Sequence, residues 1–131
     1  MATFGVRSRR ALGQVRDELV VLAEEALAVG MDFTVLEGYR SEEAQEDLFH
    51  RGLSKLRGGQ SKHNRDPAEA IDVAPWPIDW RDTQRFYHLA GIIRAKAHEL
   101  GLAIRWGGDW DCDFDLRDQS FMDLGHYELV L

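Results

Sequence analysis

Apolar residues at Leu12, Val15, Leu19, Leu22 and Ala26 recur every three or four positions, the spacing of one buried helix face. Ser8 stands where it can cap that helix, and Gly30 where it ends. Phe33-Thr34-Val35-Leu36 reads as a short strand closed by Gly38-Tyr39-Arg40. Ser41 with Glu42 and Glu43, acids that suit the positive end of a helix dipole, opens a second helix running to about Gly52. The Gly-rich, polar stretch from Ser54 to Pro67 predicts a loop. Ala70-Ile71-Asp72-Val73-Ala74 predicts a buried strand with Ala70, Asp72 and Ala74 on one face and Ile71 and Val73 on the other. Pro75-Trp76-Pro77 cannot continue a central strand and predicts a turn. A third helix follows from about Asp82 to Leu100, with Phe86, Leu89, Ile93, Ala97 and Leu100 on one stripe and Gly101 as its stop. Ala103 to Trp106 and His126 to Leu131 supply two more strands. Helices and strands mingle without a regular βαβ repeat, which predicts an α+β fold, a small antiparallel sheet with about three packed helices.

Length and charge narrow this picture. A chain of 131 residues with no repeat, low-complexity tract or linker is expected to form a single domain, residues 1–131, without a separate second module. No apolar run approaches the ~20 residues of a membrane span, and the Met1 to Gly5 start lacks a signal-peptide core. Synthesis in the cytoplasm is therefore expected. Cys112 is the lone cysteine, which excludes an internal disulfide and a thiolate metal cluster. The net charge of −7 argues against a nucleic-acid partner.

The chemistry concentrates in two segments, Ser61-Lys62-His63 leading to Ala70-Ile71-Asp72, and Asp123-Leu124-Gly125-His126. Two imidazoles and one carboxylate with an open fourth position form a catalytic zinc arrangement, and the spare carboxylate suits a general base. Asp72 sits mid-strand among small alanines, a costly place for a carboxylate unless it meets a partner or a cation. A continuous strand would point Asp123 and His126 to opposite sides, so the arrangement needs a bend at Gly125. Glu128, on the His126 face, can orient an imidazole from behind. Taken singly, His63, Asp72 and His126 each read more readily as structural residues than as ligands.

At these residues the chain resembles the zinc D-Ala-D-Ala carboxypeptidase and L-alanyl-D-glutamate endopeptidase family, especially its small phage endolysins. That family shows Ser-x-His, then Ala-x-Asp, then an acid three residues before a final His. Here those are Ser61 to His63, Ala70 to Asp72, and Asp123 to His126. Gly38-Tyr39-Arg40-Ser41 with Gln45, Trp106-Gly107-Gly108-Asp109-Trp110 and His126-Tyr127-Glu128-Leu129 match further, so the resemblance runs in order from about Ser8 to the end. Two departures stand out. His63 and Asp72 lie nine apart, two more than the commonest pattern, and Gly125 stands where many members have Pro.

The resemblance implies a Hedgehog/DD-peptidase-like fold, zinc on His63, Asp72 and His126, and Asp123 as the base. It implies Arg40 as a second electrophile for the oxyanion, against the plainer expectation of a surface salt bridge to Glu42 or Glu43. Gln45, Ser61 and Trp106 are expected at the substrate; Ser61 can also fix the loop that carries His63, and a simple turn role suits it equally. Trp106, Trp110, Trp76 and Trp80 can wall a peptide or glycan groove, and core packing is the alternative for each. The implied activity is hydrolysis of the L-Ala–D-Glu bond of bacterial peptidoglycan stem peptides by a monomer acting on the wall after release from the host cytoplasm, with no membrane partner. The alternatives are a D,D-carboxypeptidase or dipeptidase on D-Ala-D-Ala, and a non-catalytic wall-binding module that keeps the zinc. The acidic run Asp109, Asp111, Asp113, Asp115 and Asp118 adds one more expectation, calcium on Asp111, Asp113 and Asp115. It departs from an EF-hand loop by Leu116 at the glycine place and Met122 at the closing acid.

Overall fold

The computed structural model describes residues 2–118 and 122–131, with the Asp118 side chain outside that description. Among the described residues four α-helices, α1 (Val6–Leu12), α2 (Asp17–Ala28), α3 (Glu42–His50) and α4 (Thr83–Glu99), accompany four strands, β1 (Phe33–Glu37), β2 (Ala70–Pro75), β3 (Ile104–Gly107) and β4 (Asp123–Leu129). The strands form one antiparallel sheet in the order β1-β2-β4-β3. This is the expected α+β class, with one helix more than the expected three.

The extra helix arises because the apolar stripe from Leu12 to Ala26 is interrupted. Gly13 ends α1, and the next residues turn their backbone to Ala68, with Arg16 N–H donating to Ala68 O at 2.9 Å and Ala68 N–H to Gln14 O at 2.9 Å. Val15 stays buried through the interruption, so the hydrophobic period persists while the helix does not. Ser8 lies inside α1 and is no cap. Its buried hydroxyl accepts the Val35 N–H at 3.0 Å, which gives a donor on the outer edge of β1 a partner.

Alternation along the strands separates two faces. Phe33, Val35, Ile71, Val73, Tyr127, Leu129 and Trp106 enter the hydrophobic core with residues of α2 and α4. The opposite face carries Asp72, His126, Glu128 and Arg105, which the register sets side by side: Asp72 opposes His126, and Glu128 opposes Arg105. Two register breaks adjust this face. In β1, a shift after Val35 puts Glu37 opposite Asp72, so Glu37 leaves the core side that Val35 occupies. In β4, Trp106 opposes Tyr127 but Gly107 opposes Asp123, so three residues of β4 are taken up between successive pairs.

Replacing Ser8 by Ala strands the buried Val35 N–H. We expect a loss of about 1–3 kcal/mol in unfolding free energy, measured by urea denaturation. An unchanged midpoint would show that this edge is satisfied in some other way.

Candidate metal centre and its cleft

His63 is delivered by a short 3-10 turn, Lys62–Asn64, at the end of the long loop. Ser61 caps that turn, its hydroxyl accepting the His63 N–H at 3.1 Å, and Asn64 Oδ1 accepts the Ser61 N–H at 3.1 Å. Asn64 also donates to Arg40 O at 2.8 Å, and the Arg40 N–H donates to His63 O at 2.9 Å. The loop and the end of β1 are thus laced together before any ligand is considered. Asn64 was not singled out from the sequence, although the Ser61-x-x-Asn64 spacing is that of a reciprocal cap.

The ring nitrogens sort themselves by their partners. His63 Nδ1 lies 2.7 Å from Gly38 O, which can only accept, so Nδ1 carries a proton and Nε2 is left for another role. His126 Nε2 lies 2.8 Å from Glu128 Oε1, so its free nitrogen is Nδ1. His63 Nε2 and His126 Nδ1 each lie 3.1 Å from the same oxygen, Asp72 Oδ1. One ligand atom from each of the three residues falls within 4.8 Å of the others, as in a group able to hold a metal ion. Both imidazoles are oriented from behind by an acceptor, the arrangement that fixes metal-binding tautomers.

Electrostatics fit a cation at that point. Burial alone would raise the Asp72 pKa, but hydrogen bonds from His126 and His63 hold the carboxyl well below its usual range. Burial disfavours a charged His126 ring, yet Asp72 and Glu128 outweigh it and push its pKa up to about 9. The carboxylates around His126 demand a positive charge between them, and a divalent cation meets that demand with both imidazoles neutral.

Asp123 reaches the same cleft from the start of β4. Burial and the neighbouring Asp72 charge raise its pKa, which suits a group that first takes and then gives a proton. Its approach depends on the register break at the expected bend. The Gly125 backbone lies so close to β2 that a Cβ would stand 2.3 Å from Val73 O, and one on Gly107 would stand 2.0 Å from Asp123 O. The Trp106 indole donates to Leu124 O at 2.8 Å and pins the bend.

The remaining expected site residues divide. Arg40 lines the cleft and pairs with Glu37 and, at 3.3 Å, with Asp72 Oδ2, rather than with Glu42 or Glu43. Gln45 is fully buried and its carboxamide is spent: Oε1 accepts from Arg40 at 2.8 Å, and Nε2 donates to Ser54 Oγ at 2.9 Å and Leu56 O at 2.8 Å. It positions Arg40 and offers no polar atom to a ligand. Ser61 supports the His63 loop, one of the roles expected of it. Trp106 is 3% exposed and packs in the core, so the expectation that it touches a substrate is corrected. The aromatic on the cleft wall is Trp110, whose ring lies 5.5 Å from that of His126. The cleft, of about 620 Å³, is completed by Leu48, Leu53, Leu56 and the cations Lys55, Lys62 and Arg105, which sequence reasoning missed.

The acidic run is also regrouped. Asp109, Asp111 and Asp113 converge, while the Asp115 carboxylate turns to Arg117, 3.0 Å away. Asp109 is itself taken by Arg94 of α4 at 2.9 Å and by the Phe114 N–H at 2.9 Å. Arg94 and Arg117 thus supply positive charge to the run, and the Asp111, Asp113 and Asp115 triad expected for calcium does not form.

Comparison with known proteins agrees with this geometry. A family model described as phage L-alanyl-D-glutamate peptidase matches residues 1–130. The L-alanyl-D-glutamate peptidase of Escherichia phage T5 is 34% identical over 134 aligned residues, spanning 97% of each chain. The peptidoglycan L-alanyl-D-glutamate endopeptidase CwlK of Bacillus subtilis (strain 168) is 29% identical over 133 residues, 88% of this chain and 71% of that protein. Among solved structures, the L-Ala D-Glu endopeptidase ChiX of Serratia marcescens superposes with a TM-score of 0.78 at 27% identity, over 98% of this chain and 90% of that one.

Because Glu128 holds His126 from behind, Glu128→Ala is expected to weaken metal affinity by about 10- to 100-fold, read by competition with a colorimetric chelator. Undiminished affinity would remove Glu128 from that role.

Proposed function

We propose, since the chain belongs to the phage L-alanyl-D-glutamate peptidase family, that it hydrolyses the L-Ala–D-Glu bond of peptidoglycan stem peptides with zinc held by His63, Asp72 and His126. The observation that carries this reading is the convergence of His63 Nε2, His126 Nδ1 and Asp72 Oδ1 in a cleft that Asp123 also lines. Zinc on such a set, with a position left open, supplies a Lewis acid for the scissile carbonyl and lowers the pKa of water to ~7.

The protein's own residues do the rest. Asp123 accepts a proton from the attacking water and passes it to the nitrogen of the departing D-Glu, a double duty favoured by its raised pKa. Arg40, held by Glu37, Asp72 and Gln45, keeps further N–H groups for the carbonyl oxygen as negative charge develops there. Trp110 and the leucines of the cleft shield the reacting amide from bulk solvent. No helix among the described residues is long and apolar enough to cross a membrane. Action on the wall after release from the host cytoplasm, as a monomer, completes the proposal.

Digestion of purified cell walls tests it. Mass spectrometry should find new amino termini on D-Glu and no released D-Ala. Chelation should stop the reaction, and added zinc restore it. Asp123→Asn should lower kcat by about 100- to 10,000-fold with metal still bound. Release of D-Ala would move the protein to carboxypeptidase activity, and undiminished turnover in the variant would remove Asp123 from its role.

A further inference from the structure

Arg105 stands on the working face of β3, opposite Glu128, and lines the cleft together with Trp110, Asp123 and His126. Its charge is poorly used there. The nearest approach to Glu128, Nη1 to Oε2, is 3.6 Å, too long for a hydrogen bond, and the buried Nε–H has no acceptor. Glu128 cannot serve Arg105 fully, because its other oxygen is committed to the His126 ring at 2.8 Å. The side chain is nevertheless 41% exposed, so the guanidinium has an accessible edge. A guanidinium that receives no hydrogen bond from its ion-pair partner is unsatisfied as it stands, and a carboxylate offering its oxygens to the exposed Nη edge would meet it.

The substrate of the proposed reaction brings such a group. The scissile amide nitrogen sits on the Cα of D-Glu. That residue has two carboxyl groups, and the stem continues through only one of them. The other is free, on the leaving side and a few bonds from the amide. We propose that Arg105 binds this free carboxylate and makes the enzyme select D-Glu over its carboxamide form, D-isoglutamine. The inference rests on the L-Ala–D-Glu reading above and deepens it. The surrounding charge is compatible: the chain carries −7 overall, yet at this cleft Arg40, Lys55, Lys62 and Arg105 stand against the carboxylates of Asp72, Asp123 and Glu128, so the acidic excess of the rest of the chain is absent there.

A structural role would behave differently. If Arg105 only steadied Glu128, and through it His126, its loss would lower kcat equally on every substrate. The test therefore compares N-acetyl-L-Ala-γ-D-Glu-L-Lys with the same peptide carrying D-isoglutamine, using zinc-loaded enzyme. The natural protein should favour the free acid by about 10- to 100-fold in kcat/KM, chiefly through KM. Arg105→Gln should shrink that preference to within about threefold, and Arg105→Lys should keep part of it, since an ammonium retains charge without the fork. Arg105→Lys carries the comparison alone if Arg105→Gln does not fold. Calorimetry of the product γ-D-Glu-L-Lys should show the same ranking of affinities without turnover. A preference that survives both substitutions, or an equal loss of kcat on both peptides, overturns the assignment. Cleavage of neither peptide by the natural protein would instead overturn the functional reading, a result separable from any ratio between variants.

Discussion

Asp72 is a carboxylate set in the middle of a sheet, and burial there works against its charge. It remains ionised because His63 and His126 both approach one of its oxygens at 3.1 Å, while Arg40 approaches the other at 3.3 Å. Each partner is braced in turn: His63 by Gly38 O, His126 by Glu128, Arg40 by Glu37 and Gln45. The bracing groups come from the end of β1, from β4 and from α3. A single unfavourable burial thus recruits much of one sheet face into a connected polar network. In such networks the members support each other beyond their pairwise worth.

The sheet makes this affordable by dividing its labour. One face is apolar and packs with α2 and α4 into the core, while the other concentrates charge. Strict alternation would not deliver every group where it is needed. The two register breaks correct for that, one turning Glu37 toward Arg40 and the other returning Asp123 to the side of His126. Irregular pairing is tolerated because compensating bonds accompany it, such as the Trp106 indole on the Leu124 carbonyl.

How much of this could be read from residue order depended on what each element buries. α4 and β2 carry clear periods because each keeps one face in the core, and both lie within a residue or so of expectation. The break between α1 and α2 left no trace in the pattern, since Val15 stays buried through its bridge to Ala68. The convergence of His63, Asp72 and His126 was legible as an ordered group of motifs, and Glu128 as a group behind His126. The choice between Trp106 and Trp110 was not, because it turns on a register break at Gly107 that residue types do not encode. Arg105 was invisible for a related reason: its partner is set by cross-strand pairing. The acidic loop misled because Arg94, which claims Asp109, arrives from a distant helix.

The lacing of the His63 loop has an evolutionary corollary. The Glu69 N–H donates to Lys62 O at 3.0 Å, which closes the segment that carries His63 three residues before Asp72. Only residues 65–67 lie between Asn64, which caps the turn, and Ala68, which is bonded to Gln14 and Arg16, so a change of length confined there leaves His63 and Asp72 in place, and doubling such a loop costs only ~0.6 kcal/mol of closure entropy. The nine-residue separation is then no obstacle to bringing His63 and Asp72 together. Searches keyed to a fixed interval between ligands would pass over relatives whose centres are assembled in the same way, and spacing is a poorer marker of descent here than the capping residues that hold the loop shut.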